Sequence, residues 1–271
     1  MTVFVKDLIK LKMTKDTWTA LIAGFLMIAL SLLMLPFSGD STRDTIISFL
    51  IRDVLMIFGL GIVFVSAFVD KKGKEILKDI GFTKRKRTLS LVLDVLLAAG
   101  LAGFFLKDGI PEGTILLSIG NLYAAVYILT AGLFEMLFIY GFLRMSFEKA
   151  FGIIPAILLT SAFYSFHHAG FQPEFLHLFL VGLMYCSVFY ITRNMLIIFP
   201  FFWGVGALWD VIISSEAGTG IKNVESFVFA LIIWLLIIVW FLYRKVRRKT
   251  NAVENIDRDH GNTDQGQEKC V

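Results

Sequence analysis

The chain has 271 residues and a formal net charge of +4, with 57% hydrophobic and only 18% charged residues. Soluble domains carry roughly 45–50% apolar and about 25% charged residues. The composition therefore excludes a disordered protein and a small disulfide scaffold. It also argues against an ordinary soluble enzyme, whose surface needs more polar side chains than this chain supplies.

Eight apolar runs follow one another along the chain, and each approaches the roughly 20 residues that a membrane-spanning helix needs. None of them alternates apolar and polar residues with a period of two, which is the pattern of a membrane β-barrel. We therefore predict an all-α integral membrane protein, a polytopic bundle of about eight transmembrane helices. The runs are 17–37, 45–69, 89–106, 114–143, 151–167, 175–192, 195–215 and 226–243.

The runs and the loops between them suggest three segments. Residues 1–113 are predicted to form N-terminal transmembrane helices and a cytoplasmic basic loop. Residues 114–243 are predicted to form a helical core with catalytic-type side chains. Residues 244–271 are polar and mixed in charge, which predicts a disordered cytoplasmic tail.

Lysine and arginine are concentrated in alternate loops. The basic loop 71–87 contains eight of them and 244–249 contains five, whereas 107–113 contains one. Because positive loops stay on the cytoplasmic side, this alternation predicts a multi-pass cell-membrane protein with both termini in the cytoplasm. Membrane orientation and anionic lipid explain the basic loop, so no nucleic-acid partner is expected.

Few ionisable residues lie within the apolar runs, and such residues are functional candidates because they are costly to place in a membrane. For Arg52, Asp53 and Asp94 we favour a structural ion pair or an extended side chain that reaches the membrane surface. The remaining candidates, Glu135, His167 and Asp210, require a closer examination.

Glu135, His167 and Asp210 are predicted to lie at one membrane depth. Glu135 and His167 are each 16 residues from Phe151, at the predicted hairpin turn, and Asp210 is 16 residues past Asn194. At about 1.5 Å per helical residue, each lies roughly 24 Å from its turn. The spacing leaves open which face of the membrane the site opens to.

A Glu and a His at one depth permit two interpretations. They can hold and deprotonate a water molecule for attack on an amide, or they can form a hydrogen bond that only fixes the hairpin. Phe163 shares a helix face with His167, and Gly206 shares one with Asp210. Because Gly206 has no side chain, it leaves space at its position of the helix.

Three short motifs resemble those of one family of membrane proteins. The segment Glu135-Met-Leu-Phe-Ile-Tyr140-Gly141 resembles the EExxxRG motif of the CPBP intramembrane proteases, also called the CAAX-protease and bacteriocin-processing family. Phe163-Tyr-Ser-Phe-His167 matches their FxxxH motif. Gly206-Ala-Leu-Trp-Asp210 lies where their HxxxN/D motif is expected. The resemblance covers about residues 115–240.

This resemblance implies a membrane-embedded, all-helical endopeptidase. Glu135 and His167 would be the catalytic pair that activates water, and Asp210 would stand in the oxyanion region at the last position of the third motif. Three motif residues differ from the family pattern: Met136 replaces the second Glu, Tyr140 the Arg, and Gly206 the third-motif His.

The Gly206 substitution removes an oxyanion donor, and losing one such donor typically costs about 10²–10³ in rate. Tyr140 or His168 could replace it. However, adjacent helical residues point about 100° apart, so His168 is expected to be the weaker substitute for a group aligned with His167.

The resemblance also bears on metal. The family's metalloprotease label makes zinc possible, but a catalytic zinc usually has three protein ligands. Glu135, His167 and Asp210 could supply three. With Gly206 in the third motif we do not favour a metal; if one is bound, Glu135 and His167 are the expected ligands.

We therefore predict an intramembrane protease that cleaves a peptide bond in a membrane-associated peptide or protein. The alternative is a catalytically degenerate member that binds peptides or gives bacteriocin immunity without hydrolysis. A transporter is ranked last, because a polar pathway through several spans is lacking.

Overall fold

The computed structural model describes residues 7–37, 39, 41–107, 109–110, 112, 114–168, 173–213 and 220–267. Every regular element in these ranges is a helix, as predicted. Each of the eight apolar runs overlaps one long or medium-length helix. They are α1 (Lys15–Phe37), α2 (Thr42–Lys72), α3 (Arg87–Leu106), α4 (Ile119–Phe151), α5 (Ile153–His167), α6 (Phe175–Thr192), α7 (Phe201–Ile212) and α8 (Val224–Gln267).

Helix length separates these elements into two groups. Within the described ranges, six helices are long and apolar enough to cross a membrane, whereas α5 and α7 are shorter apolar helices. The protein is therefore an all-α, multi-pass membrane protein. The expectation of about eight helices holds for the number of apolar helices, and six of them meet the length needed for a span.

Two compact units divide the chain, Met1–Ile233 and Trp234–Val271. The first contains α1–α7 and the beginning of α8. The second contains the rest of α8, which stays helical to Gln267 and so extends into the segment 244–271 that the composition predicts to be a disordered tail. The segment boundaries at 114 and 244 stay predictions.

Helix α1 begins at a capping box. The backbone N–H of Thr17 donates to the Thr14 hydroxyl at 3.3 Å, and the backbone N–H of Thr14 donates to the Thr17 hydroxyl at 3.2 Å. These contacts satisfy two backbone donors at the start of the helix. The helix is thereby fixed at its first turn, which matters because α1 supplies a residue to the site described below.

Helices α4 and α5 form the predicted hairpin, and Gly152 makes its turn. The residue has a φ of +92°, and an added Cβ would lie 2.7 Å from the backbone oxygen of Leu8. The N-terminal segment crosses this turn, because the backbone N–H groups of Lys10 and Lys12 donate to the oxygens of Phe151 and Ala150. Glycine is required here by both the left-handed backbone and the close approach.

Within α4 the hydrogen bonding changes from α-helical to π-helical over Glu135–Leu143. Such widened turns are rare in proteins and occur frequently at functional sites. Gly141 fits this geometry, since its added Cβ would lie 2.8 Å from the backbone oxygen of Met136. The candidate catalytic glutamate is therefore the first residue of an irregular helical segment.

The three ionisable residues for which we favour a structural role all make contacts within the protein. Arg52 and Asp53 form an ion pair at 3.3 Å. Asp94, in α3, accepts hydrogen bonds from the backbone N–H groups of Phe202 and Phe201, at 2.7 and 3.4 Å. It thereby satisfies free donors in the first turn of α7 and places that helix against α3.

Candidate active site

The hairpin brings Glu135 and His167 together, as the residue spacing predicts. Glu135 Oε1 lies 3.8 Å from His167 Nε2, and their side chains are 8% and 15% exposed. This distance is longer than a direct hydrogen bond. The carboxylate and the imidazole are thus neighbours with space for a shared small partner.

His168 lies closer to the glutamate than His167 does. Its Nε2 atom is 3.3 Å from Glu135 Oε1, and its side chain is 34% exposed. His168 was expected to be the weaker substitute because neighbouring helical residues are rotated by about 100°. Nevertheless, the two imidazoles lie 4.6 Å apart, centroid to centroid, and both approach Glu135 Oε1.

The second oxygen of Glu135 is held by Trp203 on α7. The indole Nε1 donates to Oε2 at 2.7 Å, and both residues are buried. Gly132 makes room for the indole, since an added Cβ would lie 2.5 Å from its ring. Motif reasoning missed this contact, although Trp203 shares the face of α7 that also carries Gly206 and Asp210.

The far nitrogen of His167 is held by Ser31 on α1. The Ser31 hydroxyl lies 3.3 Å from Nδ1 and donates to the backbone oxygen of Met27 at 3.1 Å. Ser31 therefore contacts the ring nitrogen of His167 that faces away from Glu135, and Nε2 is the nitrogen that faces the carboxylate. No sequence motif marked Ser31, which lies 136 positions from His167.

Phe163, the first residue of the FxxxH segment, packs against other aromatic rings and does not face Glu135. Its ring contacts Phe25 and Phe147 at centroid distances of 5.5 and 5.4 Å. It also lies against Gly24 of α1, where an added Cβ would come within 2.6 Å of the ring. Phe163 thereby fixes α5 against α1 and, with it, the position of His167.

Tyr140 lies in an aromatic cluster beside the site, and Gly206 packs against a tyrosine of this cluster. The buried Tyr140 ring lies 5.5 Å from Tyr164 and 5.9 Å from Tyr185, and within the described chain its hydroxyl has no hydrogen-bond partner. At Gly206, an added Cβ would lie 2.7 Å from the Tyr185 hydroxyl. A tyrosine hydroxyl therefore lies where the family's third-motif histidine would begin.

Asp210 does not join the pair. It is exposed and is not among the described residues that line the cavity around Glu135. Trp203, seven residues earlier on α7, is the residue that reaches Glu135, so Asp210 is about 10 Å further along the helix. The depth estimate counted 194–200 as helix, whereas α7 begins at Phe201.

A cavity of about 700 Å³ opens beside the glutamate and both imidazoles. Helices α1, α2 and α4 and the beginning of α8 contribute to its wall, which mixes apolar and polar groups. This size is in the usual range for small-molecule and peptide sites. The polar lining among the described residues includes Ser31, Arg52, Tyr127, Glu135, His167 and His168.

One three-residue group at this site could hold a metal ion. Ligand atoms of Glu135, His167 and His168 all lie within 4.8 Å of one another. Two imidazoles and a carboxylate are a known donor set for catalytic zinc. The residues therefore fit a metal, and the structure adds His168 to the Glu135 and His167 pair that the sequence indicated.

Comparison with known proteins identifies the central part of the chain. Residues 118–212 match the family model described as type II CAAX prenyl endopeptidase Rce1-like. This segment, about a third of the chain, is similar to the Rce1-like members of the CPBP family. The matched segment includes Glu135, His167, His168 and Trp203, whereas Ser31 of α1 lies outside it. No curated protein and no solved structure matches the chain.

Proposed function

We propose that the protein is an intramembrane endopeptidase in which Glu135 and His167 activate a water molecule to cleave a peptide bond in a membrane-associated substrate. The observation that carries the proposal is the pairing of these two side chains at 3.8 Å beside a cavity of about 700 Å³. The Rce1-like match over residues 118–212 suggests a protease independently of that distance.

The distance suits a shared water. A water oxygen about 2.8 Å from each partner makes normal hydrogen bonds to both, and these lengths close a triangle whose third side is the 3.8 Å from Oε1 to Nε2. Either group could then accept a proton as the water oxygen attacks the carbonyl carbon. In this proposal the Ser31 hydroxyl accepts from Nδ1–H of His167, which leaves Nε2 as the acceptor.

Trp203 and His168 have separate roles in this proposal. The Trp203 N–H is already bonded to Glu135 Oε2, so it orients the carboxylate and does not bind the substrate. His168 also lines the cavity and is partly exposed, and its Nε2 lies 3.3 Å from Glu135 Oε1, a longer contact than the 2.7 Å bond from Trp203. We assign it the donor function that Gly206 cannot supply, stabilising the oxyanion that forms on the attacked carbonyl.

Metal is not required for these steps. If a metal is bound, Glu135, His167 and His168 are the residues that would hold it, and zinc supplies Lewis-acid activation of water. The residues of the chain would still define the cavity, hold the imidazole through Ser31 and orient the carboxylate through Trp203.

The proposed setting is the bacterial cytoplasmic membrane, with both termini in the cytoplasm. Cation-rich loops alternate with cation-poor ones along the sequence, and the basic loop 71–87 is the most highly charged. This pattern supports the orientation through the positive-inside rule. Cysteine accessibility at the loop residues Thr83 and Glu112, probed from each side of sealed vesicles, tests it.

The function is tested with purified protein in lipid vesicles and a peptide that carries an S-farnesyl cysteine followed by three apolar residues. Glu135→Gln and His167→Ala are each expected to reduce cleavage by about 10²–10⁴. Glu174→Gln and His177→Ala are matched controls, because both residues are exposed near the start of α6. Equal cleavage by all four variants would refute the proposal.

A second candidate function is peptide binding or bacteriocin immunity without hydrolysis. Gly206 in place of the third-motif histidine, and Asp210 outside the described cavity lining, favour it. In that case Glu135→Gln and His167→Ala would keep the wild-type protective or binding phenotype while the protein accumulates normally in the membrane.

A further inference from the structure

A second polar group lines the cavity beyond the glutamate and the histidines. The guanidinium of Arg52, on α2, lies over the ring of Tyr127, on α4, with 5.0 Å between its central carbon and the ring centroid. Arg52 is the only lysine or arginine among the described residues that line the cavity. Its role is not explained by the hydrolytic chemistry at Glu135.

Buried Asp53 binds the guanidinium of Arg52. One carboxylate oxygen of Asp53 accepts from Arg52 Nη2 at 3.3 Å, and the other accepts from the Tyr127 hydroxyl at 2.7 Å. Asp53 is fully buried, whereas the Arg52 side chain is 34% exposed. Asp53 therefore holds the pair in place, and Arg52 is the member of the pair that faces the cavity.

The bond to Asp53 leaves hydrogen-bonding capacity on the guanidinium. A guanidinium has five N–H donors in a planar fork. Asp53 accepts one of them, from Nη2, and Nε is covered by protein. Because the side chain is 34% exposed and lines the cavity, the donors open to a ligand are those of the two terminal nitrogens. The acceptor that best fits the fork is a carboxylate, which it can bind through two parallel hydrogen bonds.

We propose that Arg52 binds a carboxylate of the peptide substrate and so determines which bond reaches Glu135. This inference rests on the proposed protease function and adds a specificity residue to it. Arg52 lies on α2, outside the segment 118–212 that matches the family model. The resemblance therefore does not assign it a role.

The rise along α4 gives an approximate separation between the guanidinium and the glutamate. Tyr127, under the guanidinium, and Glu135 are eight residues apart on α4, which corresponds to about 12 Å along the helix. An extended peptide advances about 3.3 Å per residue. The scissile bond is thus expected three or four residues from the bound carboxylate.

The wall near these two points is suited to apolar substrate side chains. Met56 and Ile57 of α2 and Ala131 and Phe134 of α4 line the same cavity, and Ala131 and Phe134 lie between Tyr127 and Glu135 in the sequence. The preferred ligand is therefore a short apolar peptide segment that ends in, or carries, a carboxylate. A C-terminal carboxylate and an acidic side chain offer the same chemistry, and experiment can separate them.

The test uses the farnesylated peptide described above in two forms, with a free C-terminal carboxylate or a C-terminal amide. Wild-type protein is expected to cleave the free acid with a kcat/KM about tenfold or more above that of the amide. Arg52→Gln is expected to remove this preference, and Arg52→Lys to keep part of it. Arg43→Gln, which removes an exposed cation at the start of α2, is expected to keep the preference fully.

Three results would overturn the inference. They are a wild-type protein that cleaves both forms equally, an Arg52→Gln variant that keeps the full preference, and an Arg52→Gln variant that loses activity equally on both forms. The last result would mean that Arg52 contacts lipid or only supports the fold. A third peptide, amidated but with glutamate at the last position, is expected to be cleaved more slowly than the free acid. Faster cleavage would assign the bound carboxylate to a side chain.

Peptide binding separates this inference from the proteolytic one. The Glu135→Gln variant is titrated with the free acid and the amide in vesicles, with and without the Arg52→Gln substitution. A preference for the acid that depends on Arg52 supports the carboxylate site even if no cleavage is ever observed. Absence of the preference refutes the site even if the wild-type protein is an active protease.

Discussion

Trp203 donates its indole N–H to Glu135 Oε2 at 2.7 Å, while Oε1 of the same carboxylate faces both imidazoles. Oε2 is thereby held by the indole, and Oε1 is the oxygen left for the reaction. A glutamate side chain in an apolar helix would otherwise rotate among several rotamers. The hydrogen bond from Trp203 on α7 therefore orients Glu135, and the contact with Ser31 on α1 orients His167.

Replacing the indole donor is expected to impair catalysis without removing the catalytic pair. Trp203→Phe keeps an aromatic ring but loses a hydrogen bond to a charged group, worth about 1.5–3 kcal/mol. We expect kcat/KM to fall about 10- to 100-fold, measured with the farnesylated peptide in vesicles. Trp18→Phe, at an exposed position of α1, is the control. Equal activities of the two variants would contradict the positioning role of Trp203.

Ser31 is expected to act through His167 although it lies outside the family-matched segment. Ser31→Ala removes the acceptor for Nδ1–H and frees the ring to change tautomer. Partners of this kind typically contribute 10- to 100-fold to a site, so we expect a loss of about that size in kcat. Ser31→Thr keeps the hydroxyl and is expected to restore most of the activity. If Thr were no better than Ala, the loss would reflect packing.

His168 is expected to matter as a donor. His168→Leu should lower kcat by about 10²-fold with little change in KM, the pattern of an interaction made only in the transition state. His168→Gln retains an N–H donor and should lose less. His177→Leu is the matched control because His177 is an exposed imidazole near the start of α6. A large rise in KM for His168→Leu would assign the residue to substrate binding.

The central pair of the site could be predicted because its geometry is local. Glu135 and His167 face each other across one turn at Gly152, so equal counts along α4 and α5 bring them level. That agreement survives the π-helical segment that begins at Glu135. The all-helical fold was predictable for a related reason, since each apolar run needs only its own length to be recognised.

The rest of the site depends on packing between distant segments, which residue spacing does not encode. Ser31 and Trp203 reach the pair from α1 and α7. His168 reaches the same carboxylate oxygen as His167, and a rotation counted along the helix does not predict how far two long neighbouring side chains can converge. The depth of Asp210 was counted from Asn194 as if the whole segment were helical, whereas a 3-10 turn at Met195–Ile197 precedes α7, which begins at Phe201.

Removal of metal ions tests how water is activated. Glu135 and His167 can deprotonate a water unaided, so we expect cleavage to persist when the purified protein is treated with a chelator. Zinc content measured on the same sample is the control for complete removal. Loss of cleavage that zinc restores would show that the Glu135, His167 and His168 group works as a metal centre. The Glu135→Gln and His168→Leu variants should then also lose bound zinc.

Gly132 is expected to control the site through the position of the indole. An added Cβ there would lie 2.5 Å from the Trp203 ring, and overpacking of a buried contact costs about 1–3 kcal/mol. Gly132→Ala should therefore destabilise the protein and, by moving the indole away from Glu135, reduce kcat/KM about as much as Trp203→Phe does. Because both changes break the same hydrogen bond, from Trp203 to Glu135, their effects on activity should be far from additive in the double variant. Gly103→Ala, where no atom lies within 4 Å of the added Cβ, should leave cleavage unchanged. Full additivity of Gly132→Ala and Trp203→Phe would show that the glycine does not act through the indole.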